Sequence, residues 1–365
     1  MKNRKLIMFL HFIVLLAVLI GLIALFSRLR ADWIFDNRSQ SGGLLPLLLM
    51  LVATLPVSVC GQMAFGLLTG YKLKELSMPF VTFRPGQGVR FSGRIRIVLT
   101  MMPPEISSDI PFRLMTVGAP LTLLILSALL TPLALLLQTS PVSPWLLDAA
   151  QMCAIMMCIQ LLPRKSQTDD LTLLFLMSRY PQMRLACAQN MAITAEPGAA
   201  FDKPDAWFTP YEMPLLRHPY PMSITIVYIA RCIRQSRFAE AYPAVQAVLA
   251  IPDPATPFII PCMLCQGALC EVLGDFPADC VNRLEEDSVQ YLLPDNWRNR
   301  LLLARYARER CITRNDENAQ AILQEYLALH RADDDSQHAA AEARLLRLID
   351  EKAGVPAAKE PADAP

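Results

Sequence analysis

Four apolar runs fill much of the first half of the chain, at about residues 6–27, 44–69, 114–137 and 145–163. A helix needs roughly 20 apolar residues to cross a bilayer, and each run meets or approaches that length. Lys2, Arg4 and Lys5 precede the first run, which is interrupted only by His11 and Gly21. It is longer than a signal-peptide core and continues into Ser27-Arg28-Leu29-Arg30 rather than a small-residue cleavage site, so a retained span is expected. His11 is then a neutral imidazole facing another helix or snorkelling, rather than a ligand. The second run holds Pro46 in its first turn and Pro56 in its interior, where proline removes a helical donor and should kink the helix. The third carries the small-residue patch Gly118-Ala119-Pro120, which would let a neighbouring helix approach closely. The fourth opens on Trp145, with Asp148 one turn in.

Between the second and third runs the pattern changes. Phe80-Val81-Thr82-Phe83 and Arg94-Ile95-Arg96-Ile97-Val98-Leu99 flank Pro85-Gly86-Gln87-Gly88. The second segment alternates basic and apolar residues with period two. That segment is expected to be a strand with one greasy face and one basic face, in a small β-hairpin loop over residues 78–100 whose arginines suit a membrane surface.

From Asp170 onward the pattern is that of a soluble helical protein, with residues 171–220 as a connecting helix and linker. Helix pairs are predicted over 221–352: Ser223–Arg234 with Ala239–Leu249, Phe258–Leu273 with Ala278–Leu284, and Asn296–Arg310 with Asn318–Leu329. Their turn signals recur at an interval slightly longer than the roughly 34 residues of tetratricopeptide repeats. Two architectures remain open: stacked hairpins with a concave peptide groove, or an irregular bundle without one. The Ala/Pro-rich stretch 353–365 is expected to be a disordered tail. The expected fold is therefore mostly α: a polytopic membrane domain over 1–170 with about four spans, then a cytosolic helical-repeat domain.

Composition refines this picture at three points. A formal net charge of +1 over 365 residues gives no basic excess for a nucleic-acid backbone. Basic residues gather at the N-terminus, in the 72–109 loop and at Arg164-Lys165, which places these segments and both termini in the cytoplasm. The ten cysteines lack the spacings of a disulfide framework and are expected to be reduced. Cys262-Met263-Leu264-Cys265 sits inside an apolar run without a second pair at zinc-ribbon spacing, so core packing is expected there.

The chemistry worth weighing lies at the end of the second run. Ser58 and Gln62 stand at i and i+4, on one helix face. Metallopeptidases place two zinc-binding histidines at that spacing, with a glutamate base after the first; here the position after Ser58 is Val59. Asp169 and Asp170 could form an acid/base pair, but adjacent acids at a helix start more often cap it. Neither a phosphate-binding loop nor a nucleophilic-serine elbow is present.

The run Gly66-Leu67-Leu68-Thr69-Gly70-Tyr71-Lys72 resembles the integral-membrane site-2 protease family of zinc metallopeptidases. In a bacterial subgroup of that family a His-Glu-Leu-Gly-His helix runs into Phe-Gly-Leu-Leu-Thr-Gly-Tyr. Met102-Pro103-Pro104-Glu105, Gly118-Ala119-Pro120-Leu121, Leu161-Leu162-Pro163 and Thr168-Asp169-Asp170-Leu171 are weaker matches to the same subgroup, and the resemblance covers roughly residues 44 to 210. It implies that Ser58 and Gln62 replace the two histidines and Val59 the glutamate. Asp169 is the surviving ligand position, and Thr116 stands in place of an asparagine near the start of the third span.

One carboxylate with a hydroxyl and an amide is a poor donor set for zinc, and no base remains to activate water. The resemblance thus implies a catalytically inactive, pseudoenzyme member of the bacterial cell membrane that has lost zinc and keeps a binding groove at Phe65, Gly66, Thr116 and Gly118. Its expected partners are the lipid bilayer, a transmembrane protein, and a cytosolic protein bound by the helical repeats. Two alternatives stay open: an active intramembrane metallopeptidase with an atypical site, and a transporter or channel component.

Overall fold

The computed structural model describes residues 13–18, 20–28, 44–91, 93, 97–162, 170–196, 203–212, 215–251, 258–285, 287–294, 297–330 and 336–354. The chain is mostly helical and divides into two compact units, residues 1–199 and 200–365.

In the first unit, α1 covers Ile13–Arg28. It is followed by α2 (Leu44–Leu68), α3 (Phe112–Leu136) and α4 (Ser143–Leu161), each within two residues of its predicted start and end. Among the described residues these last three are long and apolar enough to cross a membrane. The expectation of four such helices is reduced to three there, because the described part of the first run is shorter than a span and residues 6–12 lie outside the described residues. Side chains such as Val52, Leu55, Leu124, Leu129 and Leu136 point outward from α2 and α3. Phe26 of α1 packs with Ala134, Leu147, Ala150 and Ala154 in a small interhelical core.

Where a hairpin over 78–100 is expected, the structure has a four-stranded antiparallel sheet that begins earlier. Its strands are β1 (Lys72–Met78), β2 (Val81–Arg84), β3 (Gly88–Phe91) and β4 (Val98–Met102), in the order β3-β2-β1-β4. The reason lies in how α2 stops. Gly70 takes φ +89, the amide of Tyr71 donates to Gly66 O at 3.0 Å, and that of Gly70 donates to Leu67 O at 3.1 Å. These are the two bonds of a Schellman C-cap with glycine in the left-handed position. The chain leaves it extended, so β1 starts at Lys72 and becomes a central strand.

A register shift between Leu73 and Glu75 turns Lys74 outward, where it pairs with Glu196 at 3.0 Å. Of the predicted strand Arg94–Leu99, only Val98 and Leu99 fall in β4, and Arg94–Arg96 lie outside the described residues. Two further helices, α5 (Asp170–Arg179) and α6 (Pro181–Ala195), belong to this unit: α5 packs on α3 and α6 on β4.

The second unit contains α7 (Pro219–Arg234), α8 (Phe238–Leu249), α9 (Ile259–Gly274), α10 (Asp279–Arg283), α11 (Asp287–Leu292), α12 (Arg298–Arg308), α13 (Asp316–His330) and α14 (Ser336–Lys352). A π-helical turn, Glu309–Thr313, closes α12. Packing is largely sequential, α7 on α8, α8 on α9, α9 on α10 and α12 on α13, while α9 also touches α7 and α12.

Helix α9 is the hub. Every residue from Pro261 to Val272 is buried, which explains an apolar circumference on a helix too short to span a bilayer. Residues 355–365, within the tail expected to be disordered, lie outside the described residues.

The cysteines of α9 belong to this core. Cys262, Cys265 and Cys270 are free and buried, and burial pushes each thiol up to about 12. In the unfolded chain they ionise near their ordinary value of about 8.5. Between these values the folded state holds more protons than the unfolded one. Their contribution is therefore complete below about pH 8.5 and declines as pH rises, by about 1.4 kcal/mol per thiol per pH unit. Urea titrations of the full chain are expected to show a falling midpoint above that pH, with a shallower fall in a Cys262→Ala/Cys265→Ala/Cys270→Ala variant.

Candidate functional site

The polar face of α2 is turned toward α3 and is consumed by backbone contacts. Ser58 is buried, and its hydroxyl donates to Leu55 O of its own helix at 2.8 Å. Thr54, one turn earlier, donates to Leu51 O at 2.6 Å. Hydroxyls that donate back into their own helix are satisfied without any partner helix. Gln62 reaches across instead: its Nε2 donates to Met115 O of α3 at 3.5 Å. Val59 is half-buried and Cys60 is exposed, off the face shared by Ser58 and Gln62. Pro56 lies inside α2 and withholds the donor that Val52 O would otherwise receive.

Small residues make this contact possible. A Cβ on Gly118 would stand 3.1 Å from Gln62 Cα and 3.1 Å from Phe65 Cβ. One on Gly61 would overlap the Thr122 side chain, and one on Gly66 would meet Met101 Cε at 2.7 Å and Met115 Sδ at 3.0 Å. Thr116 is buried, with its hydroxyl 3.7 Å from Met177 Sδ of α5. Phe65, Gly66, Thr116 and Gly118 are thus brought together, at a junction of α2, α3, β4 and α5. The glycines act here as close-approach residues.

The fit of this site to zinc follows from its donors. Ser58 spends its proton on a carbonyl, Gln62 offers an amide, and Val59 offers nothing. Among the described residues no three His, Cys, Asp or Glu side chains gather closely enough to hold a metal ion. Asp169 lies outside the described residues; Asp170 begins α5.

The sequence reading missed an exposed feature of the sheet. Register places Phe83 opposite Val89 and Val81 opposite Phe91, so these four side chains share one face of the β2–β3 ribbon. Phe91 is 88% exposed, Val89 60% and Phe83 38%. The opposite face carries Thr82, hydrogen-bonded to Ser77 at 2.6 Å, and Arg84, paired with Glu75 at 2.7 Å. Strand β3 is also a sheet edge, with no strand on its outer side among the described residues. The alternation Val81-Thr82-Phe83-Arg84 and Val89-Arg90-Phe91 was the available signal. No protein-family model, no curated protein and no solved structure matches this chain.

Proposed function

We propose that the protein is a membrane-embedded binding or scaffolding protein on a site-2-protease-like frame, without peptidase activity, and that residues 200–365 act as a cytosolic recruiting domain of helical hairpins. The observation that carries the reading is the fate of the α2 polar face. Its hydroxyl is spent within its own helix, Ser58 on Leu55 O, and its amide reaches α3, Gln62 on Met115 O, and none of its side chains is an imidazole, thiolate or carboxylate at the ligand spacing. Fold and active site are separable, so such a frame can persist as a binder.

The surface left for a transmembrane partner is the apolar β2–β3 face with its open edge. Main-chain pairing at the edge and apolar side chains beside it would hold an extended partner segment. The outward apolar side chains of α2 and α3 support residence in a bilayer, and the basic loops support cytoplasmic termini; the bacterial setting rests on the resemblance alone.

Photo-crosslinking tests the partner surface. With p-benzoyl-phenylalanine in place of Phe91 or Val89 in the full chain in native membranes, light-dependent adducts with an integral membrane protein are expected. The same probe in place of Tyr291 should not form them. Adducts with lipid alone, or none, contradict the reading.

A further inference from the structure

The two arginines of the β2–β3 ribbon share a face but differ in what their charge meets. Arg84 donates from Nε at 2.9 Å and from Nη2 at 2.7 Å to Glu75 Oε2, so its guanidinium is answered inside the sheet. Arg90 stands opposite Thr82 on the same face and is exposed. Among the described residues its guanidinium has no ion-pair or hydrogen-bond partner. All four residues of β3 are exposed, and no described strand lies on its outer side.

A strand added at that edge would continue both faces, because side chains directly opposite one another in neighbouring strands point the same way. Its residues beside Val89 and Phe91 would then be apolar, and the one between them would carry the charge opposite to that of Arg90. A second copy of the chain fits poorly. Antiparallel pairing of β3 with itself about Arg90 sets that charge against its own copy, and the register that pairs all four residues sets Val89 against Arg90. A partner held in the bilayer is within reach, since α2 ends at Leu68 and β1 opens at Lys72, which ties the sheet to the end of a candidate span.

We propose that β3 selects an extended segment of apolar–acidic–apolar alternation, adjoining a span of the transmembrane partner, with its carboxylate beside Arg90. The inference deepens, and rests on, the reading of this edge as the partner surface. Val89 and Phe91 supply contact area, and Arg90 supplies the choice of sign. The pattern reads the same from either end, so it holds for parallel and antiparallel addition alike. Both charges stay near solvent, and salt therefore weakens the selection.

The test uses the full chain in nanodiscs and labelled peptides Val-Thr-Val-X-Val-Thr-Val with blocked termini, where X is Glu, Gln or Lys. The Glu peptide is expected to bind at least about fivefold more tightly than the Lys peptide, with Gln between them. The order should reverse in Arg90→Glu and flatten in Arg90→Gln, and the preference should shrink at least about twofold at about 1 M salt. Equal affinity for the three peptides, no binding of any, or a preference unchanged in Arg90→Glu overturns the inference. So does photo-labelling from p-benzoyl-phenylalanine in place of Phe91 that goes to a second copy or to lipid rather than to the Glu peptide.

Arg90 is exposed and unpaired, so unchanged circular dichroism and Tm are expected in both variants, and they separate lost selection from lost structure. Photo-adducts in native membranes without selection by sign would leave the membrane-partner reading standing and end this one. Selection by sign without those adducts would leave the edge chemistry standing and end the membrane-partner reading.

Discussion

Gly118→Leu is expected to break the contact between α2 and α3 and to cost about 3 kcal/mol or more of stability in the membrane unit, as overpacking against a rigid neighbour does. The obstacle is backbone as well as side chain. Gln62 Cα and Phe65 Cβ each stand 3.1 Å from where even a methyl carbon would sit, so the helices must move apart. Separation would remove the Gln62–Met115 hydrogen bond and open the junction that buries Thr116. Gly118→Ala should cost about 1 kcal/mol, since a shift of a few tenths of an ångström accommodates one methyl. Reversible unfolding in mixed micelles, followed by circular dichroism, measures both. Equal stability of Gly118→Leu and the wild-type chain would show that the two helices do not meet at this point.

In the second unit the largest single effect is expected at Glu271. Its carboxylate is buried at the α9–α10 corner, where Oε1 accepts from the Cys280 amide and Oε2 from the Val281 amide, both at 2.8 Å. It supplies from a distance the acceptor that a capping side chain would supply locally, and it lies at the positive end of α10. Glu271→Ala would leave two donors orphaned in the core. Hydrogen bonds to a charged group contribute about 1.5–3 kcal/mol each, so a loss of about 3–4 kcal/mol is expected after partial relaxation. Glu271→Gln, which keeps one acceptor oxygen, should recover part of it. Urea denaturation of the full chain provides the comparison, and a loss below about 1 kcal/mol in the alanine variant would rule out this role for the carboxylate.

Much of the helical framework was legible because apolar runs and caps are local. The ends of α2, α3 and α4 follow from hydropathy, and α7, α8 and α9 follow from periodicity and turn residues. The Gly66–Tyr71 run, which carries the family resemblance, also has a local cause: glycine at the left-handed position ends α2 and sends the chain into β1. That motif therefore has a structural cause of its own, the stop of α2 at a left-handed glycine.

Long-range partners were the illegible part. Nothing near Gln62 announces that its amide will reach Met115 O, or that Gly118 will sit against Gln62 Cα. The sheet was read as a hairpin because β1, with its mixed residues Lys72-Leu73-Lys74-Glu75, has no clean alternation of its own. It becomes a strand by pairing with β2 and β4 at once. Helix α14 escaped notice because its buried carboxylates, Glu342 and Asp350, look like a solvated face until Tyr326 and Tyr306 are placed beneath them.

The central claim is that the face of α2 bearing Ser58 and Gln62 packs a helix and grips no divalent cation. Elemental analysis of the full chain, purified from membranes in zinc-supplemented medium and exchanged into metal-free buffer, tests it most directly. Below about 0.1 zinc per chain is expected, unchanged by Asp169→Ala, because a hydroxyl and an amide beside one carboxylate do not complete a zinc site. One zinc per chain that disappears with Asp169→Ala would contradict it.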